Sequence, residues 1–80
     1  MNDLTITYIT NSIATTTHCL HAELGQYGNR DVRMITMFSD EIAAKTSLLN
    51  KYIAGDTLDI VEKIRLDSII AVANMETTYA

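Results

Sequence analysis

The sequence lacks proline and tryptophan, and it contains only three glycines and one cysteine. The absence of proline allows helices to run without interruption, so the glycines become the main signals of chain breaks. The single thiol, Cys19, excludes a disulfide within one chain and is typical of a reducing compartment. We therefore expect a cytoplasmic protein whose stability does not depend on covalent cross-links.

Long hydrophobic runs and clustered positive charge are also missing. No stretch approaches the roughly 20 apolar residues that span a bilayer, and the segment MNDLTITYITNSI lacks the basic and apolar regions of a secretory signal. Six basic residues against ten acidic ones give a net charge of −4. Direct contact with a nucleic-acid backbone needs a concentrated positive surface. We therefore expect no direct binding to a nucleic-acid backbone and no membrane partner.

The apolar residues that are present predict one helical domain over residues 1–80. Hydrophobic residues make up 48% of the chain, which argues against disorder. Gly25, Gly28 and Gly55 divide it into three segments of similar length, joined by short connections. Short connections make consecutive helices antiparallel neighbours. The predicted fold is an all-α, antiparallel three-helix bundle, oligomeric, with helices near 3–25, 31–54 and 57–77.

Capping residues and apolar stripes support the second and third helices. Asp31 is the expected cap of the second helix, and Gly55 ends it. Asp56 is the expected cap of the third, with Asp59 at its third position. At 100° per residue, the core stripe of the second helix is Ile35, Phe38, Ile42, Thr46, Leu49 and Ile53. That of the third is Ile60, Val61, Ile64, Ser68, Ala71, Val72 and Met75.

The first segment fits two structures. Its start, LTITYIT, alternates like a strand and is rich in β-branched residues. A strand over residues 4–10 would have to pair with its copy in a second subunit, because no other segment resembles a partner strand. An unbroken helical stripe also runs through the segment, with Asn2 or Asp3 as cap: Ile6, Ile9, Ile13, Thr16, Leu20 and Leu24. The helix is the favoured alternative.

The second and third helices carry more apolar residues than one bundle can bury. Beside the core stripes lie further apolar positions at helical spacing. Exposed contiguous apolar surface usually marks an association site, and two-fold homodimers are the commonest outcome. We therefore predict a protein–protein interface at Met34, Met37, Leu48, Leu66, Ile69 and Ile70. The alternative is a looser bundle that half-buries both stripes.

The connection GQYGNRDVR is the other candidate site. Tyr27, Arg30 and Arg33 concentrate aromatic and positive character near the start of the second helix. Such a set can hold a small anion or a nucleotide. The simpler alternative is a joint in which Gly25 ends one helix and Asn29 or Asp31 begins the next.

The sequence offers little evidence for metal binding or catalysis. His18, Cys19 and His21 are close in sequence, but no second pair of ligands completes a zinc site. No base is placed to activate the Cys19 thiol. We expect no metal, no cofactor and no enzymatic activity. The predicted function is a small helical protein-interaction module, a homo-oligomer that acts as an inhibitor, adaptor or regulator of a partner protein, of the kind that viruses and mobile elements encode. The alternative is an oligomeric binder of the small ligand described above.

Overall fold

The computed structural model describes residues 3–25 and 31–79, with side chains as far as residue 75. It contains three helices: α1 (Leu4–Leu24), α2 (Val32–Ala54) and α3 (Ile60–Tyr79). The predicted all-α three-helix fold is confirmed. The alternative of a strand at residues 4–10 is wrong, because these residues are the start of α1 and the described ranges contain no strand.

Threonine side chains of α1 find hydrogen-bond partners within the helix itself. The hydroxyl groups of Thr10 and Thr17 donate to the carbonyl oxygens of the residues four positions earlier, each at 2.8 Å, and Thr15 and Thr16 do the same at 3.0 Å. These bonds satisfy the hydroxyls within the helix. At the beginning of α1 the Asp3 carboxylate accepts a hydrogen bond from the Thr5 amide at 2.9 Å. Asp3 is therefore the cap that stabilises this end.

The two ends of α2 follow the sequence signals. The Asp31 carboxylate accepts hydrogen bonds from the Arg33 amide at 2.9 Å and the Met34 amide at 3.4 Å. At the other end Gly55 adopts a left-handed conformation with φ 75°, which residues with a Cβ atom rarely adopt. This conformation lets the Asp56 amide reach back to the Lys51 carbonyl at 3.0 Å and close the helix.

The start of α3 differs from the prediction. The helix begins at Ile60, and its cap is Asp59 instead of Asp56. The Glu62 amide donates to the Asp59 carboxylate at 2.8 Å, while the Asp59 amide donates to the Glu62 carboxylate at 2.9 Å. This reciprocal pair satisfies two otherwise unpaired donors. The Asp56 amide instead donates to the Lys51 carbonyl and closes the end of α2.

Polar contacts define the up-down-up arrangement of the helices. The Tyr52 hydroxyl donates to the Asp3 carboxylate at 2.9 Å, which joins the end of α2 to the start of α1. Likewise the Lys51 ammonium lies 2.9 Å from the Glu62 carboxylate, which joins the end of α2 to the start of α3. The first contact shows that α2 runs antiparallel to α1. Arg65, further along α3 than Glu62, lies 3.0 Å from Glu41, which is earlier in α2 than Lys51, so α3 also runs antiparallel to α2.

The core is small and lies where the three helices meet. Ile9 of α1 and Leu48 of α2 are fully buried, and Ile69 of α3 is 7% exposed. Six partly buried apolar side chains pack around them: Tyr8, Ile13, Leu49, Tyr52, Leu58 and Leu66. Helix α1 packs closely on α2 and less extensively on α3. The radius of gyration is 14.1 Å, compared with about 12 Å expected for a domain of this length.

Candidate protein-binding face

Helix α3 presents to the core the side opposite to the one predicted. Leu66, Ile69 and Ile70, expected at an outer interface, are buried or half-buried. The expected core stripe of α3 is exposed. Its large side chains have exposed fractions between 54% and 74%: Ile60, Val61, Ile64, Val72 and Met75. The orientation predicted for α3 is therefore wrong.

Two ion pairs form in this rotation of α3. Glu62 and Arg65 lie on the same side of the helix as Ile69, Glu62 two turns and Arg65 one turn before it. With that side inward, the Glu62 carboxylate meets Lys51 at 2.9 Å and the Arg65 guanidinium meets Glu41 at 3.0 Å. The opposite rotation would separate both pairs. Since both sides of α3 are apolar, these contacts distinguish the two packings where hydrophobicity does not.

We call the exposed apolar side of this helix the outer face of α3. Its residues all have exposed side chains: Ile60, Val61, Ile64, Ser68, Ala71, Val72 and Met75. Only a narrow polar stripe, which includes Lys63 and Asp67, separates it from the buried side. A helix with apolar residues on two sides is normally buried on two sides. The outer face is therefore the strongest candidate for a binding surface.

The predicted interface residues of α2 are divided between core and surface. Leu48 is fully buried within the single chain, so it lies in the core and not on an exposed stripe. Met34 is half-buried, and Met37 is 47% exposed. The end of the predicted core stripe also differs, because Ile53 is 61% exposed. Of the six predicted interface residues, Met37 is the one whose side chain is exposed.

An open groove of about 770 Å³ runs along the outer face. Its apolar side is formed by Val61, Ile64 and Val72 of α3. Across the groove lie hydroxyl-bearing residues of α1, among them Ser12 and Thr15. The groove therefore has one apolar wall and one polar wall, and it is open to solvent along the outer face. This combination suits an amphipathic helix.

The charged groups that line the groove are paired with one another. The Glu41 carboxylate lies 3.0 Å from Arg65 and 3.3 Å from Lys45, and the Lys45 ammonium donates to the Thr16 hydroxyl at 2.8 Å. Partial burial raises the pKa of Glu41, but hydrogen bonds and charge from Arg65 and Lys45 outweigh it and leave the pKa below its usual value. Glu41 is therefore ionised at neutral pH and fixes the positions of both cations.

The predicted ligand site is only partly described. Tyr27 and Arg30 lie outside the described residues. Arg33 is exposed in the first turn of α2 and lines a shallow cleft of about 480 Å³ together with Met37, Asp40 and Arg65. Arg33, predicted for the ligand site, and Met37, predicted for the interface, thus belong to one surface.

The histidines of α1 lie on its outside. His18 and His21 are exposed and Cys19 is half-buried. Across the described residues, no three His, Cys, Asp or Glu side chains lie close enough together to hold a metal ion.

The residues that orient α3 are not among those predicted from the sequence. Glu62 follows Asp59 by three positions, which is the spacing of a reciprocal cap, and this signal would have located the start of the helix. The pairing of Arg65 with Glu41 has no comparable signal, because it joins residues 24 positions apart on different helices.

Comparisons with known proteins give no family or relative. No protein-family model, curated protein or solved structure matches the chain. In the part of the chain that is described, none of the three helices has the length and hydropathy needed to cross a membrane.

Proposed function

We propose that the protein is a non-enzymatic helical module that works by binding another protein chain, as an inhibitor, adaptor or regulator, and that it forms homo-oligomers. The observation that carries this proposal is the outer face of α3. Five of its large apolar side chains are more than half exposed. The module acts in the cytoplasm, a location consistent with its single unpaired thiol.

The cost of leaving this face in water supports a binding role. Apolar surface contributes about 25 cal/mol per Å² when it is removed from water, so covering several large side chains is worth several kcal/mol. That amount is comparable to the total stability of a small domain. Isolated exposed apolar residues are common, whereas a contiguous exposed face of this size on one helix marks an association site.

The chemistry of the groove supports binding over catalysis. A reactive site needs an acid, base or nucleophile in a separated environment. The groove's Glu41, Lys45 and Arg65 are instead held by each other. Its remaining lining consists of aliphatic side chains, hydroxyls, the amide of Asn11 and the phenol of Tyr8.

The net charge supports a protein partner over a nucleic acid. The chain carries a charge of −4, and its groove holds two cations beside one carboxylate. A nucleic-acid backbone requires several unpaired cations on one surface.

Photo-cross-linking tests this proposal. A photoreactive diazirine side chain is placed at Ile64 on the outer face, and at Lys63 on the polar stripe as the matched control. After irradiation in the producing cells, we expect protein cross-links from position 64 at several times the yield from position 63, with mass spectrometry identifying the products. Equal yields from the two positions, or no protein product from position 64, would contradict a binding role for this face.

A further inference from the structure

We propose that the outer face of α3 pairs with the same face of a second copy of the chain, with the two helices antiparallel and the two-fold axis passing beside Ser68. The inference rests on the proposed function, and it identifies one partner of that surface. Each α3 then covers the open side of the other subunit's groove, and the α1 and α3 helices of both copies form a shared bundle.

The order of residues on α3 has the symmetry that such a pair requires. In a two-fold interface, residue i meets residue j while j meets i. Counting outward from Ser68, Ile64 and Val72 lie four positions away, and Val61 and Met75 lie seven positions away. An antiparallel pair centred on Ser68 therefore places Ile64 opposite Val72 and Val61 opposite Met75, twice each. All four side chains are between 54% and 62% exposed.

Spacing and side-chain size also fit close helix pairing. Val61, Ile64, Ser68, Ala71 and Met75 follow alternating steps of three and four residues, the spacing of a helix–helix seam. The two small residues, Ser68 and Ala71, lie in the middle of the seam. They allow the helix axes to approach there, while the larger residues at both ends interdigitate.

The accessible surface of a single chain is larger than expected for a folded monomer of its mass. A folded monomer of 8.9 kDa is expected to expose about 4,800 Å². This chain exposes 5938 Å², which is about 1,100 Å² more than that expectation. A stable interface buries roughly 800 Å² on each partner. The excess surface is thus enough for one standard two-fold interface.

Disulfide trapping tests the position of the axis. In a Cys19→Ser background, Ser68→Cys places one thiol next to its copy, whereas Lys63→Cys places it on the polar stripe. After mild oxidation of the purified chains, non-reducing electrophoresis should show at least tenfold more linked dimer for Ser68→Cys. Similar amounts from the two variants, or no dimer from Ser68→Cys, would overturn the proposed axis.

A mixing experiment tests the antiparallel direction. In the same background, Ile64→Cys and Val72→Cys chains are oxidised separately and then as a mixture. A disulfide needs Cα atoms within about 7 Å, but eight helical residues separate position 64 from its own copy along the seam, about 12 Å. The mixture should therefore link strongly and each chain alone should not. A parallel pair would give the reverse result and would overturn the inference.

Sedimentation equilibrium of the unaltered chain provides a test without substitutions. We expect a mass of twice 8.9 kDa at several hundred micromolar. A monomer at that concentration would overturn self-pairing even if a trapped variant failed to fold. Photo-cross-links from position 64 to an unrelated protein alone, together with a monomeric mass, would likewise overturn it. That result would also remove the homo-oligomer from the proposed function, while leaving its binding of another protein intact.

Discussion

The α1–α2 pair and helix α3 are stabilised in different ways within the same chain. Helices α1 and α2 pack closely, and their fully buried residues, Ile9 and Leu48, form the centre of the core. Helix α3 contributes one buried residue, Ile69, with Leu66 partly buried beside it, and the Lys51–Glu62 and Glu41–Arg65 ion pairs join it to α2. Partly exposed ion pairs contribute little, with a median of about 0–1 kcal/mol. The chain alone therefore holds α3 more weakly than it holds α1 and α2.

This difference gives the outer face its significance. Helix α3 has few contacts with the rest of the chain, so little packing is disturbed when a partner covers its exposed side. Covering that side removes apolar surface from water, which is favourable. The apolar residues that α3 does not use in the core are thus available for association. Helices α1 and α2 thus form a stable hairpin, while α3 keeps an apolar side exposed for association.

Removing a core side chain from the α1–α2 pair should have the largest effect. Leu48→Ala deletes a fully buried side chain and leaves a cavity, which costs about 2–5 kcal/mol. The matched control is Ile53→Ala on the same helix, where the side chain is 61% exposed. Urea denaturation followed by circular dichroism should show a large loss of stability for Leu48→Ala and a change within about 0.5 kcal/mol for the control. Equal losses would show that the core is placed incorrectly.

Hydrogen exchange should resolve the weaker attachment of α3 directly. At low micromolar concentration we expect amides in the middle of α3 to exchange at least about tenfold faster than those in the middle of α1 and α2, because few buried contacts oppose local opening. Mass spectrometry of peptides from each helix measures this ratio. Protection of α3 should increase with protein concentration when self-pairing occurs. Uniform protection of all three helices in dilute solution would contradict the comparison.

Helix ends that depend on neighbouring residues could be predicted from the sequence. The orientation of a helix that depends on distant residues could not. Asp31 and Gly55 are strong end signals, and α2 begins and ends within a residue of the predicted bounds. The register of the α3 cap was missed because Asp56 and Asp59 both fit the pattern. The rotation of α3 was wrong because its two apolar sides are nearly equivalent, and the choice between them depends on Lys51 and Glu41 of α2.

The candidate site illustrates the same limit. Surplus apolar surface on α3 could be predicted from composition and spacing alone, since more apolar residues are present than one side of a helix can bury. The side of α3 that remains exposed could not be predicted in this way. Three of the predicted interface residues face the core instead: Leu66, Ile69 and Ile70.

The smallest expected effect concerns the ion pair at the start of α3. Hydrogen bonds from the Asp59 amide and from Lys51 hold the pKa of Glu62 below its usual value, and the hydrogen bond with Glu62 raises the pKa of Lys51. A lowered carboxylate pKa stabilises the fold above the unfolded-state pKa of about 4.3, and this contribution is lost as pH falls through the folded value. The raised pKa of Lys51 acts at the other end of the scale. Its contribution is complete below about pH 10.4 and is lost only at higher pH.

Glu62→Gln should therefore lower the melting temperature by a few degrees at pH 7. The difference should shrink as the pH falls through the lowered pKa of Glu62, because the parent carboxylate then also becomes protonated. Thermal melts monitored by circular dichroism between pH 3 and pH 7 measure the convergence. Asp67→Asn, at an exposed position on the same helix, controls for the general loss of an acid. If both variants converge equally with the parent, then the cap and ion pair of Glu62 do not hold the start of α3, and its attachment depends on Ile69 and the Glu41–Arg65 pair.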